Sequence, residues 1–212
     1  MSIVVTGATG HLGRHVVEQL LEKVPADQIT AVVRTPAKAA ALADDHRATE
    51  EVLLSSGLPY VLLRNGWYHE NYTENLAPVL EHSAVTHAAG AGRVSSASRA
   101  DYAAAAVAVL TGEGHENQTY ELGGDVAWSF AEYAAELSRQ TGKEIAENPV
   151  SVEVFTGILA GAGLPEPVAA IIAGVDASVE KGELVVDSGD LSRLAGRPTT
   201  PISEAIAAGL KG

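Results

Sequence analysis

The sequence predicts an α/β fold, a parallel sheet flanked by helices, followed by a smaller and mostly helical region. Three observations carry this. Short β-branched runs alternate with stretches of helical apolar spacing through the first part of the chain. The first of those runs enters a glycine-rich turn that opens directly into a helix. Beyond about residue 125 helical periodicity takes over.

Ile3 to Thr6 is the first strand, and Leu12, Val16, Val17, Leu20 and Leu21 then recur at helical spacing. Pro25-Ala26-Asp27 ends that helix, and Ile29 to Arg34 is a near-continuous apolar strand of the kind buried in parallel sheets. Pro36 to Ser56 has helical composition, stopped by Gly57-Leu58-Pro59 before a third strand at Tyr60 to Arg64. Val85 to Ala88 reads as a further strand, Arg99 to Leu110 as an alanine-rich helix, and Gln118 to Leu122 as a strand closed by Gly123-Gly124. Ser129-Phe130-Ala131-Glu132 has the capping-box form and starts a helix that Gly142 ends. Ser151 to Ala162, Pro165 to Val179 and Ile202 to Leu210 complete the helical part. A boundary near Asp125 divides a sheet domain, 1–124, from a smaller domain, 125–212, that packs closely against it because no linker separates them.

Charge narrows the partners. With 14 Lys+Arg against 27 Asp+Glu the formal charge is −13, which repels nucleic acid and anionic membrane surfaces. Any anionic ligand must therefore be held locally. The chain has no cysteine, which removes disulfides and thiolate chemistry and suits a reducing compartment. Without a basic and apolar leader at Met1 to Val5, or some 18 consecutive apolar residues, the expectation is a cytoplasmic protein with no membrane span.

The local anion site is Gly7-Ala8-Thr9-Gly10-His11-Leu12-Gly13, set after a strand, at the start of a helix, inside a βαβ unit. Glycines allow the tight turn and close approach, while free N–H groups and the helix dipole stabilise a pyrophosphate. The plainer alternative is a tight turn without a ligand. About 20 residues on, NAD-binding units carry an acid for the ribose 2′-hydroxyl; here Arg34 occupies that place, with Lys38 one turn later. A guanidinium forks onto a 2′-phosphate, so NADPH is favoured over NADH unless both are merely solvated cations.

After the third strand the chain runs Asn65-Gly66-Trp67-Tyr68-His69-Glu70-Asn71-Tyr72, polar and aromatic at the strand end where such sheets bind ligands. Asn65, Gly66, Trp67 and Tyr68 are placed to line a nicotinamide and an acceptor, with Tyr68 or His69 as proton donor. The competing reading is a loop held by its own aromatics. No tyrosine is followed four residues later by lysine, so the acid/base pair of ordinary short-chain dehydrogenases is missing. His11 and His15 lack a third ligand, so no metal site is expected, and Asp101 reads as a helix-start charge.

These segments resemble the NmrA-like atypical short-chain dehydrogenases, most closely the quinone oxidoreductase 2 type. The matching pieces are residues 5–13, 33–39 and 63–72, Ser98 to Tyr102, Tyr120 to Gly124 and Gly196 to Thr200, which together sample nearly the whole chain. The resemblance implies a Rossmann-like domain with a small C-terminal substrate domain, NADPH as hydride donor and a quinone as acceptor. It also implies cofactor contacts from the glycine loop, Arg34, the Gly66 to Asn71 loop (Gly66, Trp67, Tyr68, His69, Glu70 and Asn71) and Arg99. A non-catalytic NADPH-responsive binding role, which NmrA-like proteins also fill, is the alternative, since the missing Tyr-Lys pair permits both.

One departure is large. In that family two to three further strand–helix units precede the strand ending in Arg64, so at ~30 residues per unit roughly 60 to 80 residues are absent, with the join near Ala43 to His46. A right-handed crossover then allows a sheet order 2-1-3, third strand beside first. The shortened sheet would expose an apolar edge, to be covered by the C-terminal domain or by a second copy in a homo-oligomer, and stability is expected to fall.

Overall fold

β1 (Ile3–Thr6) and β2 (Ile29–Val32) pair in parallel, Ile3 opposite Ile29 and Thr6 opposite Val32, and α1 (His11–Leu21) connects them in the chain. The computed structural model describes residues 3–6, 11–25, 29–32, 50–51, 53–57 and 59–211, so the expected join near Ala43 to His46 lies outside the described residues. Two compact units emerge: Met1–Asn65, Arg99–Leu122 and Ser188–Thr199 form the first, and Gly66–Ser98, Gly123–Asp187 and Thr200–Gly212 the second. The chain thus passes between units five times, where the sequence suggested one boundary near Asp125. Each strand-end turn at Asn65 and Leu122 hands the chain over, which composition does not reveal.

Two short helices of the second unit, α2 (Glu70–Thr73) and α3 (Ala77–His82), precede α4 (Arg99–Thr111) in the chain. In the first unit α1 buries Val16 and Leu20 against Ala103 and Val107 of α4, and Gln19 donates to the Ala100 carbonyl at 3.1 Å. β3 (Val61–Asn65) pairs in parallel with β6 (Gln118–Leu122), Val61 opposite Gln118 and Asn65 opposite Leu122. Of the order 2-1-3 that a right-handed crossover allows, the β1–β2 pair is present, while among the described residues β3 pairs with β6 and not with β1. β6 turns Tyr120 and Leu122 inward, and that burial favours one register with β3. α8 (Asp190–Ala195) adds buried Leu191. Asp101 lies in the first turn of α4, as expected of a helix-start charge, and there it is fully buried and pairs with Arg197 at 2.6 Å.

In the second unit β4 (Ala84–His87) pairs in parallel with β8 (Ala146–Pro149), and β5 (Arg93–Val94) pairs antiparallel with β7 (Trp128–Ser129). Its longer helices are α5 (Phe130–Thr141), α6 (Val152–Gly161), α7 (Glu166–Glu180) and α9 (Ile202–Gly209). α5 begins as its sequence requires: Ser129 Oγ accepts from the Glu132 N–H while Glu132 accepts from the Ser129 N–H, and Gly142 ends the helix at φ 68°. The core joins Tyr133 and Leu137 of α5 to Val85, Val94, Trp128, Val179 and Ile206. Tyr72 sits edge-on to Trp128 and Phe130, with ring centroids 5.0 and 5.6 Å away, an arrangement aromatic quadrupoles favour. Among the described residues no helix is long and apolar enough to cross a membrane.

Candidate functional site

The glycine loop leads into α1 at exposed His11, and the first turn of that helix carries no acidic residue. A helix start without an acidic side chain does not repel an anion, the property that a dinucleotide pyrophosphate requires. Leu12 packs on the Val16 and Leu20 cluster, and Gly13 lies in the first turn of α1. Gly7, Ala8, Thr9, Gly10, Arg34 and Lys38 lie outside the described residues. Two more expected residues sit at element ends in the same unit: Arg99 is the first residue of α4, and Asn65 is the last of β3. The Asn65 carboxamide oxygen is buried without a hydrogen-bond partner, an acceptor position that a ligand N–H can satisfy.

Gly66 starts the loop in the second unit. Trp67 accepts from the Ala97 N–H and His69 donates its own N–H to the Ala97 carbonyl, both at 3.0 Å, so the loop is stitched around Tyr68 to the 95–98 segment. Gly124 allows that segment its close approach, since a Cβ there would collide with the Ser96 carbonyl oxygen.

His69 is buried at 1% exposure and both ring nitrogens are used inside the protein. Nε2 lies 2.8 Å from the Thr200 carbonyl, which only accepts, so Nε2 carries the proton. Nδ1 then accepts from Ser96 Oγ at 2.8 Å, and Ser96 Oγ in turn accepts from the Trp128 indole N–H at 2.9 Å. The chain of donors is complete with a neutral imidazole. His69 is thus a structural bridge, which corrects its reading as a proton donor and as a cofactor contact through its ring; nothing in the spacing of the loop announces Ser96 or Thr200 as its partners. Tyr68 stays half-buried.

Trp67, Glu70, Asn71 and Tyr72 line a cavity of about 440 Å³, together with Ile171, Ile172, Val175 and Asp176 of α7. Its size is that of a small-molecule site. Asp176, 5% exposed, accepts from the Ala88 N–H at 2.8 Å, and burial pushes its pKa up to about 6 despite that bond. Burial, with the Asp176 charge second, likewise pushes the Tyr72 phenol well above its ordinary value. The Tyr72 hydroxyl is buried, without a well-formed hydrogen bond, beside the Trp67 indole. Sequence reasoning missed Asp176 and Tyr72 as site residues. The signal was there for Asp176: it falls on the buried stripe Ala169, Ala173, Asp176, Val179, where a charge is costly without a purpose.

Parallel strand pairs and an acid-free start to the helix that follows the glycine-rich segment of the sequence are those of a Rossmann-like dinucleotide-binding protein. Residues 7–46 match a family model described as NAD(P)H-binding. The chain is 36% identical to quinone oxidoreductase 2 of Escherichia coli, over 96% of this chain and 97% of that protein. Among solved structures it resembles the NADPH-dependent quinone oxidoreductase of E. coli complexed with NADPH (TM-score 0.92, 34% identity, 99% of each chain). It also resembles the triphenylmethane reductase of Citrobacter sp. (TM-score 0.93, 32% identity, 100% of each chain). The chain belongs to the NmrA-like atypical short-chain dehydrogenase/reductase family, in the quinone oxidoreductase 2 group. The alignment with the E. coli protein runs over 277 positions against the 212 residues here, so at least 65 positions (277 less 212) have no counterpart, in keeping with the internal shortening.

Proposed function

We propose that this chain is an NADPH-dependent oxidoreductase that reduces a quinone-like acceptor. The observation that carries the reading is the 36% identity with a quinone oxidoreductase along 96% of the chain. Gly7, Ala8, Thr9, Gly10, His11, Leu12 and Gly13 cradle the pyrophosphate of NADPH, and Arg34 with Lys38 selects its 2′-phosphate. Arg99 supplies a further charge to the dinucleotide, and Asn65 offers its buried carboxamide oxygen to the nicotinamide end. Gly66, Trp67, Tyr68, Glu70 and Asn71 shape the acceptor side, and Trp67, Glu70 and Asn71 line the cavity that takes a flat ring. NADPH, when bound, supplies the hydride; Tyr68 or solvent provides the proton that a quinone oxygen requires.

The test is a fluorescence titration with NADPH and NADH, repeated on Arg34→Ala, followed by addition of benzoquinone while NADPH absorbance is recorded. NADPH binding that weakens about tenfold in the variant, with absorbance lost only when quinone is present, is the expected result. Binding without turnover would move the reading to a nucleotide sensor, and no binding would end it.

A further inference from the structure

We propose that Asp176 is the acid of this cavity: its carboxyl group donates a hydrogen bond to a quinone oxygen and gives that oxygen its proton as the ring is reduced. This rests on the reading of the cavity as the acceptor site, and within that reading it takes the proton-donor role from Tyr68 and solvent.

Three of the lining side chains are carboxyl groups, Glu70, Glu74 and Asp176. Glu74 is exposed and Glu70 half-buried, whereas Asp176 is 5% exposed and stands on α7 among Ile171, Ile172 and Val175. It takes one hydrogen bond among the described residues, from the Ala88 N–H to Oδ2 at 2.8 Å, which leaves Oδ1 to carry a proton. A neutral carboxyl group suits such a place better than a carboxylate, because a buried charge without a counter-ion is costly. Burial holds its pKa up at about 6, so near neutrality it can both give and recover a proton. Other donors are poorly suited. No Lys, Arg or His lines the cavity, and Tyr68 is not among the lining residues. Tyr72 does line it, but burial raises its phenol pKa so far that the hydroxyl can donate a hydrogen bond and scarcely release a proton. Glu70 and Glu74 are the charged groups facing Asp176 across the cavity. His87, beside Ala88, turns its ring to Phe130 and Glu147, and Glu180, one turn further along α7, lies against Gly90.

A quinone becomes a hydroquinone by gaining one hydride and one proton. The hydride comes from NADPH with both electrons of the dihydronicotinamide C4–H bond, and it leaves the reduced ring with one negatively charged oxygen. The Asp176 O–H bond then breaks toward that oxygen and leaves a carboxylate behind. A phenolate-type oxygen is far more basic than a carboxylate, so the transfer runs downhill. After the product leaves, water entering the cavity restores the proton. This chain lacks the Tyr-Lys acid/base pair, and a buried carboxyl group supplies the missing acid.

The experiment follows menadione between about pH 5 and pH 8, with binding to the cofactor-free protein read from tryptophan quenching and turnover read from NADPH absorbance. Asp176→Asn is the informative variant, since its carboxamide still accepts from the Ala88 N–H and still donates to a quinone oxygen but has no proton to transfer. In the parent, menadione binding should weaken about fivefold as pH rises through 6, and kcat should fall about tenfold per unit above it. The variant should bind menadione within about threefold of the parent at pH 5 and lose the pH dependence of binding. Its kcat at pH 6 should be lower by about tenfold or more, without that falling limb. His87 is common to both proteins, so a limb that disappears belongs to Asp176. A variant kcat within threefold of the parent, a loss confined to KM, or the parent's limb intact in the variant would overturn the proposal. Thermal melts establish that the variant is folded; should it not be, the parent decides, since a kcat with no limb near pH 6 or no solvent isotope effect would overturn the assignment. Absence of quinone-dependent NADPH oxidation in the parent at every pH would end the proposed function and this inference with it, whereas parent turnover unchanged in Asp176→Asn would end only the role of Asp176.

Discussion

The two units are filled in different ways. The first packs α1 on α4 through Val16, Leu20, Ala103 and Val107, small and aliphatic, with backbone and helix ends as its offered chemistry. The second is organised by Tyr72, Trp128, Phe130 and Tyr133, with a polar chain from Trp128 through Ser96 and His69 to Thr200 inside it. A phosphate cradle is made by main-chain N–H groups and needs slender neighbours, so small residues suffice there. A pocket for a flat acceptor needs rigid side chains, and aromatics held by satisfied hydrogen bonds provide them.

If that contrast is right, the largest loss of stability comes from the aromatic centre. Trp128→Ala removes a 3% exposed indole that meets Tyr72, Phe130 and Tyr133 and donates to Ser96. The expected cost is roughly 3–5 kcal/mol, read from urea unfolding. Leu20→Ala in the first unit, also fully buried, should cost roughly 2–5 kcal/mol and should raise hydrogen exchange first in α1 and α4. Equal exchange changes in both units for both variants would erase the distinction.

The second test compares pH dependence. Asp176 titrates near 6 in the folded state against an ordinary value of 3.8, so the folded state binds the proton more tightly. Its favourable contribution is complete below about pH 4 and is lost as pH rises through 6. Since a tenfold change in proton affinity is about 1.4 kcal/mol, Asp176→Asn should stabilise the protein at pH 8 by up to about 3 kcal/mol and do little at pH 4. His87 slopes the other way, because burial lowers its pKa and the stability it allows is lost as pH falls below 6.5. Its ring, stacked on Phe130 at 4.3 Å, is common to both proteins, so the difference between their melting curves isolates Asp176. A variant less stable than the parent at pH 8 would show that the carboxylate is satisfied by partners other than the Ala88 N–H.

What the sequence made legible follows the same division. Strand, glycine turn and helix are local patterns, and α1, α4, β6 and the capped α5 lie within a residue or two of where periodicity and caps put them. β5 and β7 are two residues each and exist only because Val94 and Trp128 meet across the chain, which no local period encodes. The pairing of β3 with β6 is equally non-local. In the site, the loop after β3 was legible from its composition and strand-end position. The tying-up of His69 by Ser96 and Thr200, and the arrival of Asp176 from a helix about a hundred residues later, were not.

A smaller effect tests whether local signals carry weight in the second unit at all. Ser129→Ala removes one half of the capping box at α5 and should cost about 1 kcal/mol in thermal or urea unfolding. The adjacent Glu132 carboxylate, held below its ordinary range by the Ser129 N–H first and by Arg93 second, would keep most of its stabilisation. A cost above about 2 kcal/mol would mean that Ser129 also fixes the short β5–β7 pair, Arg93 opposite Ser129, and that cap and sheet are one unit.

The smallest effect belongs to the first unit. Arg64 forks onto Glu50 with bonds of 3.0 and 2.7 Å and reaches Glu121 at 2.6 Å, which ties the helical residues at 50–51 to the β3–β6 pair. Its side chain is 47% exposed and that of Glu121 50%, so water and salt screen the attraction and the guanidinium loses rotamer freedom to hold it. Arg64→Met keeps the aliphatic stem and should cost no more than about 1 kcal/mol at low salt, shrinking further in molar salt. A loss several times larger, unchanged by salt, would mean that this pairing and not the small aliphatic core holds β3 in register, and the contrast between the units would have to be redrawn around charge.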